Sequence, residues 1–397
     1  MGVQVTTGGR RLTARLLPLA LVFLASGLSV AVVQPFLALF LSDEVHAGPV
    51  RVTVFLVVAP LSGVITAWVI GRLSDRRAIR RRLIIAASVA GIIGSAVTAV
   101  VRDYWVLLGL TATAVALATS LFPQTFAYAR QVLTRDDPDR AAMGISALRT
   151  VFSIAWVAGP PLAALLLATG GFVHVFGAAT VMYAVSALIA IRWLTEVGPV
   201  PATPDEGGLP PGRTWMLWLT AAGFTLLQTP LVLAVQALPL FIGTDLGGSP
   251  GSAGLILGLC AALEIPLMLG FGWLSTRMPL SRLILAGAAS GVLYYGLAGF
   301  ATNVWQLAAG QVLNALFIAA VSGLGISYMQ DMLPQFPGRA TTMFANTFPI
   351  GAVLAGPLFG IAQKFDYRLA YAMSAALCCL GIVLLVVTRH DHAPRRA

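Results

Sequence analysis

The sequence predicts an all-α membrane protein, with twelve transmembrane helices in two pseudo-symmetric six-helix bundles. Composition is the first observation behind this. The 397 residues are 58% hydrophobic and 10% charged, whereas a soluble domain is about a quarter charged. The second is that apolar runs long enough to cross ~30 Å of hydrocarbon as helices recur twelve times. The third is an internal repeat at an offset near 200 residues.

The runs fall near 13–41, 51–74, 83–101, 104–130, 141–169, 173–194, 215–243, 251–276, 283–301, 304–333, 340–363 and 368–388. Ahead of the first, GGRRLTARLL resembles a twin-arginine export signal, and Val45-His46-Ala47 resembles a cleavage site. The apolar run between them is much longer than the core of a signal peptide, so it reads as an uncleaved first span. Between the sixth and seventh runs, VGPVPATPDEGGLPPGR (197–213) is rich in Pro and Gly and poor in apolar residues, the composition of a linker. The chain therefore divides into an N-terminal six-helix bundle (1–196), a cytoplasmic linker (197–213) and a C-terminal six-helix bundle (214–397).

Arginine placement sets the orientation. With the N-terminus in the cytoplasm, that side collects Arg10, Arg11, Arg15, the cluster Arg72–Arg82, Arg130, Arg135, Arg140, Arg192, Arg213, Arg277, Arg282, Arg339, Arg389, Arg395 and Arg396. The other side keeps Arg51, Arg102, Lys364 and Arg368. So lopsided a split follows the positive-inside rule and puts both termini on the cytoplasmic side of the inner (cytoplasmic) membrane. The net charge of +10 does not indicate a nucleic-acid partner, because the basic residues are confined to short loops between apolar runs. Cys260, Cys378 and Cys379 lie in apolar runs at spacings that suit neither a metal site nor a disulfide framework, and they read as packing residues.

The repeat is specific residue by residue. AVVQPFLALFLSDEV in the first half answers AVQALPLFIGTDLG in the second, pairing Gln34 with Gln236 and Asp43 with Asp245. GRLSDRRAIRRRLIIAASVAG answers GWLSTRMPLSRLILAGAASG, pairing Gly71 with Gly272, Leu73 with Leu274 and Arg82 with Arg282. Halves repeated in parallel imply a pseudo-twofold axis along the membrane normal and a ligand site near the midplane where they meet. That is the architecture of a transporter, rather than of a channel or a membrane enzyme.

The stretch GRLSDRRAIRRRL (71–83) resembles the loop signature of the major facilitator superfamily between its second and third helices. The resemblance implies a gating motif of Gly71, Leu73, Asp75, Arg76 and Arg80. Gly71 lets neighbouring helices approach, while Asp75 caps a helix end and pairs with arginine. Two departures stand out: Ala78 where the family usually has Gly, and Ile79 where it prefers a base. The second-half copy has Thr276 in place of the aspartate, so only the first copy could form a charged latch. Within that superfamily, FPQTFAYAR (122–130), LRTVFSIAWVAGPPLA (148–163), AALEIPLM (261–268), LNALFIAAVSGLG (313–325) and MQDMLPQFPGRATTMFANT (329–347) are similar to the sugar efflux transporter family. The resemblance implies export of small neutral sugars and glycosides by alternating access. It implies the proton as coupling ion, no cofactor or metal, and a functional monomer in the lipid bilayer.

Two ionisable side chains lie well inside the predicted spans, Arg149 in the fifth and Glu264 in the eighth. A charge at the centre of a membrane helix costs roughly 2.5–3.5 kcal/mol on insertion scales, and such groups mark substrate or proton paths. In a facilitator fold the fifth and eighth helices come from opposite halves and lie against each other. Counted from the cytoplasmic ends, the two residues differ in depth by roughly 6 Å at 1.5 Å per residue, a gap that an arginine spans. Glu264 is expected to carry the coupling proton, with Arg149 displacing it on approach. A static pair that holds the halves in register is the competing reading. Pro266 frees the carbonyl of Ala262 and is expected to bend the helix beside Glu264.

Sugar hydroxyls call for amides, and sugar C–H faces for aromatic rings. The spans supply Gln34, Gln124, Gln228, Gln236, Gln311, Asn314 and Asn346 as candidate substrate-binding residues, with Tyr128, Trp156 and Phe317 as candidate platforms. Gln124 and Tyr128 fall at i, i+4, and Gln311 and Asn314 at i, i+3, so each pair shares a helix face. Gln34-Pro35 and Gln236, shortly before Pro239, lie where a cavity-lining kink is expected. Any one amide also serves as interhelical glue, but the whole set argues for a polar, neutral ligand. A drug or natural-product exporter of the same fold stays open, as does a transporter-like sensor that binds sugar without moving it. The chain shows no nucleotide-binding motif, which speaks against ATP-driven transport.

Overall fold

The computed structural model describes residues 7–76, 78–136, 138–197 and 214–389, and every regular element among them is helical. Helix α1 runs Thr7–Val33, tightens into a 3-10 turn at Gln34–Phe36 and continues as Leu37–Asp43. Next come α2 (Pro49–Arg76) and α3 (Arg80–Val100). Helix α4 is assembled from Tyr104–Leu110, a π-helical turn Thr111–Val115, Ala116–Thr119 and Leu121–Asp136. The helical stretch Pro138–Trp193 follows, 56 residues long. As one straight helix it would measure about 84 Å, far beyond a ~30 Å hydrocarbon layer.

Gly170 and Gly171 resolve that mismatch. Their φ/ψ values of −162/19° and 63/−159° leave the helical region, so the stretch is two spans, α5 (138–169) and α6 (172–193). Beyond the linker lie α7 (Thr214–Thr244), α8 (Pro250–Leu274), α9 (Leu280–Gly299), α10 (Val304–Met332), α11 (Pro337–Phe365) and α12 (Arg368–Val387). Eleven stretches among the described residues are long and apolar enough to cross a membrane. With the longest divided at the glycine pair they make twelve, and the chain is a multi-pass membrane protein. The predicted linker, apart from Val197, lies outside the described residues.

The internal repeat is visible in how helices start and end. Asp103 caps α4 by accepting from the Val106 N–H at 2.9 Å, and Asn303 caps α10 by accepting from the Gln306 N–H at 3.0 Å. Such caps satisfy N–H groups that a helix leaves unpaired at its first turn. Trp105 and Trp305, each two residues past its cap, are both strongly exposed, as befits residues of an interfacial aromatic belt. At the other end, the Ser74 hydroxyl donates to the Gly71 carbonyl at 2.8 Å, and Ser275 does the same to Gly272 at 2.7 Å. Arg72 lies over the ring of Trp68 at 3.8 Å, and Arg277 over that of Trp273 at 4.0 Å.

Packing sorts the chain into two units that part at the linker, with one segment of the first half grouped with the second. One takes the chain up to Gln34 and resumes at Ser62; the other takes Pro35–Leu61 together with the second half. In the first unit α1 packs on α5, and α3 on α6. Lipid tails are as apolar as leucine, so close approach rather than hydrophobic burial holds these helices together. A Cβ at Gly91 would overlap the ring of Tyr183, and one at Gly159 would overlap Ala31.

In the second unit α7 meets α11 and α12, while α9 meets α10 and α12, and α8 meets α10. The aromatic contacts Phe224–Phe344 (5.1 Å), Phe241–Tyr371 (5.0 Å) and Tyr295–Phe317 (5.8 Å) fill its interior. The segment 35–61 packs here too. Gly356 of α11 backs onto Leu56 and Val57, Gly360 onto Thr53, and Gln363 Nε2 donates to Ser42 Oγ at 3.4 Å. Burial pushes the Tyr367 hydroxyl up to about 12, and the nearby carboxylates of Asp43 and Asp245 act in the same direction. The two repeat-related aspartates thus converge on one tyrosine.

The kink predicted beside Gln34 coincides with the 3-10 turn, at the point where the chain passes from one packing unit to the other. Helix α7 carries Pro230 and Pro239 inside one continuous helix that runs past Gln236.

The break at Gly171 generates a stability prediction. Its φ and ψ lie where only glycine sits without strain. Gly171→Ala is expected to destabilise by about 1–3 kcal/mol, read as a lower unfolding midpoint in detergent. Gly177→Ala, at a helical position where a Cβ meets nothing within 4 Å, should leave the midpoint in place.

Candidate functional site

Most hydroxyls in the spans are engaged by their own helices. Ser26 donates to the Phe23 carbonyl at 3.1 Å, Ser88 to Ile84 at 2.9 Å, Thr125 to Leu121 at 2.7 Å, Thr229 to Thr225 at 2.9 Å and Ser374 to Ala370 at 2.7 Å. A serine or threonine can reach back to i−3 or i−4 in this way, so it needs no outside partner. A glutamine or asparagine carries two donors and an acceptor and is harder to satisfy. Among the described residues, Gln124 Oε1, Gln228 Oε1 and Asn314 Oδ1 are buried oxygens without a hydrogen-bond partner, and so are Ser186 Oγ, Gln363 Oε1 and the Tyr371 hydroxyl. The first three belong to the amides singled out from the sequence.

In the first unit the candidate wall lies on α4 and α5. Gln124 is buried, while Gln34 and Trp156 are half-buried. Arg149 is exposed, with its guanidinium over the Phe126 ring at 5.8 Å. Around it the rings of Phe122 and Phe152 approach to 4.3 Å, Phe122 and Phe126 to 6.2 Å, and Phe23 meets Phe122 edge-on at 5.7 Å. Arg149, Phe152 and Trp156 follow at i, i+3, i+7, which places a cation and two aromatics on one face of α5. Phe122, Phe126 and Phe152 were missed in the sequence, although the i, i+4 spacing of the first two was a readable signal.

Tyr128 is corrected from platform to structural clasp. Its hydroxyl donates to the Thr195 carbonyl at 2.9 Å and accepts from the Thr195 N–H at 3.1 Å, with the ring buried. The side chain ties α4 to the end of α6 and has neither face nor hydroxyl to offer. Phe317 is corrected in the same sense: it is fully buried, edge-on to Tyr295 and pressed against Gly291.

In the second unit Gln228 and Gln236 are buried on α7, Glu264 is half-buried on α8, and Asn346 is exposed on α11. Among the described residues of this unit, no cation pairs with Glu264. Gln311 and Asn314 share a face of α10, and Asn314 Nδ2 donates to Gln311 Oε1 at 3.0 Å. Gln311 Nε2 donates in turn to the Tyr294 hydroxyl at 2.8 Å and to the Leu307 carbonyl at 3.1 Å. Asn314 Nδ2 also reaches Cys260 Sγ at 3.4 Å. Arg149 belongs to the first unit and Glu264 to the second.

The arginine-rich loop is pinned to α6. The Arg81 N–H donates to Glu196 Oε1 at 2.9 Å, and its guanidinium donates to the carbonyls of Ala190 at 3.2 Å and Ile191 at 2.7 Å. The last carbonyls of a helix carry the negative end of its dipole and lack intrahelical donors, so a cation is favoured there. Arg80 is buried, Gly71 half-buried and Leu73 exposed. The side chains of Asp75 and Arg76 lie outside the described residues. Arg81, not singled out in the sequence motif, makes the contacts that hold this loop.

The family model of the Major Facilitator Superfamily matches residues 19–235 and 217–397. A putative sugar efflux transporter of Deinococcus radiodurans is 34% identical over 371 residues, 91% of this chain and 94% of its own. Sugar efflux transporter A of Escherichia coli is 31% identical, covering 96% of this chain and 98% of its own. Multidrug resistance protein MdtG of Proteus mirabilis is 29% identical over 44% of this chain. Among solved structures, the nucleoside transporter NupG superposes with a TM-score of 0.74 at 13% identity, over 95% of this chain and 99% of its own. At that identity the likeness concerns the fold alone.

Tyr128→Phe separates clasp from platform. Losing two hydrogen bonds to the Thr195 backbone is expected to cost about 1–3 kcal/mol, seen as a lower unfolding midpoint in detergent. Transport KM should stay at the parent value. A raised KM at unchanged stability would return Tyr128 to the ligand site.

Proposed function

This chain belongs to the major facilitator superfamily and, within it, to the sugar efflux transporter family, and from that premise we propose that it exports small neutral sugars or glycosides in exchange for protons. One observation carries the reading. Relatives named as sugar efflux transporters align along nearly the whole chain, both six-helix halves included. The side chains agree with a neutral, hydroxyl-rich ligand, since the spans hold a scattered set of amides and a single deep carboxylate. Arginine placement supports termini on the cytoplasmic side of the cell membrane. One chain holds both halves, which supports a working monomer.

The mechanism is alternating access with Glu264 as the proton carrier. Glu264 takes a proton when its side of the cycle faces outward and releases it toward the cytoplasm, while sugar travels the other way. A cation brought near Glu264 during the cycle would favour the ionised carboxylate and promote proton release, and Arg149 is the candidate for that role. The amides Gln34, Gln124, Gln228, Gln236, Gln311, Asn314 and Asn346 supply candidate hydrogen bonds to hydroxyls. Trp156 with Phe122, Phe126 and Phe152 supplies the apolar faces. The same phenylalanines favour a second reading, export of apolar natural products, for which the partial likeness to a multidrug resistance protein also speaks.

Purified protein in proteoliposomes tests both. Labelled methyl glucoside and methyl galactoside are expected to exchange by counterflow and to accumulate when a proton gradient is imposed. Glu264→Gln, an analogue of the protonated form, should keep exchange but lose uphill accumulation and its pH dependence. Undiminished uphill transport in that variant would move the proton site elsewhere. Counterflow of a labelled lipophilic drug, with no sugar exchanged, would favour the second reading.

A further inference from the structure

The hydrogen-bond chain on α8, α9 and α10 has a direction that the backbone forces. The Leu307 carbonyl, 3.1 Å from the Gln311 amide, can only accept, so the nitrogen of that amide faces it. The same nitrogen donates to the Tyr294 hydroxyl at 2.8 Å. The Gln311 oxygen is thereby turned toward Asn314 and accepts from its Nδ2 at 3.0 Å. That nitrogen also donates to Cys260 Sγ at 3.4 Å. Both N–H groups of Asn314 are therefore engaged, and its Oδ1, buried and without a partner, is what remains.

A free asparagine offers a donor or an acceptor by turning its amide over. Here the turn is blocked, because it would set oxygen against oxygen at Gln311. Glu264 stands one helical turn beyond Cys260 on α8, on the same face, and in the state that has released its proton and loads sugar its carboxylate is a second acceptor. We propose that this wall is an acceptor-only subsite that receives a hydroxyl hydrogen from the exported sugar and discriminates against ligands with no hydrogen to give there. Tyr294 and Cys260 are its positioning residues: they hold the two amides in register without touching the ligand. An anionic group such as a uronate is rejected at this end, because it would bring a further acceptor against acceptors.

The subsite rests on the sugar-export reading, and its test is built to tell the two apart. Counterflow of labelled methyl glucoside and methyl galactoside by the full-length protein is competed with the monodeoxy and monodeoxyfluoro analogue at each hydroxyl. Fluorine keeps the size of a hydroxyl but has no hydrogen to donate. At one position, both analogues should compete about tenfold more weakly than the parent sugar. Asn314→Leu should abolish that penalty and leave those at other positions in place.

Tyr294→Phe keeps the ring packing on Tyr295 at 5.0 Å. It is expected to raise KM several-fold without a fall in kcat, and to let the fluoro analogue recover relative to the parent. A merely structural tyrosine would not change that ratio. Cys260→Ala should act in the same direction, and Cys260→Ser should restore the discrimination. Fluoro analogues that compete like the parent at every position overturn the proposal, as does a penalty untouched by Asn314→Leu and Tyr294→Phe. In either case, continued sugar exchange leaves the export reading standing. Exchange of no sugar at all removes the export reading and the subsite with it.

Discussion

Hydrocarbon offers a peptide group no hydrogen-bond partner, and almost every feature of this protein follows from that. Each backbone N–H and C=O inside the bilayer has to be satisfied within its own helix, so the described spans are helical throughout. Departures from the regular helix are correspondingly local. The chain tightens to a 3-10 turn at Gln34–Phe36, loosens to a π turn at Thr111–Val115, and breaks at Gly170–Gly171. Where helices end, Asp103 and Asn303 supply acceptors to the first turn, and Arg81 supplies donors to the last.

The same constraint separates polar residues that satisfy themselves within the helices from those that do not. Ser88, Thr125 and Ser374 close their hydroxyls onto carbonyls of the preceding turn, which uses their polarity inside one helix. Tyr128 uses both capacities of its hydroxyl on a single backbone residue. Gln124, Gln228 and Asn314 keep a buried oxygen without a partner. An unpaired polar atom in a low-dielectric interior is destabilising by about 1–3 kcal/mol, a cost these three share with Ser186 Oγ, Gln363 Oε1 and the Tyr371 hydroxyl.

Duplication is preserved where the membrane demands the same thing of both halves and is lost at several other positions. Trp68–Arg72 and Trp273–Arg277 mark equivalent helix ends, and Ser74 and Ser275 fold back onto equivalent glycines. By contrast, Thr276 stands at the position of Asp75 and donates its hydroxyl to the Trp273 carbonyl, closing on its own helix. The proline-linked glutamines diverge as well, since α1 bends at Gln34 while α7 continues past Gln236.

The sequence by itself determined the membrane, the twelve spans, the duplication and the two isolated charges, Arg149 and Glu264. Those properties are legible because hydropathy, helix length and charge cost act on each segment separately and leave a one-dimensional record. It also pointed to the amides, since any Gln or Asn inside a span stands out against its neighbours. Only the tertiary structure decided which of these polar groups are already engaged. Tyr128 and Gln124 share a helix face in the sequence, yet one is tied to Thr195, 67 residues away, and the other keeps a free oxygen. Phe317, a platform candidate from the sequence, is locked behind Tyr295, whereas Phe152, not singled out there, joins a half-buried cluster. Packing also moved the segment 35–61 into the company of the second half, where no local signal placed it. A hydrogen bond or a ring contact depends on which helices become neighbours in three dimensions, and neighbours far apart in the chain leave no pattern in either segment alone.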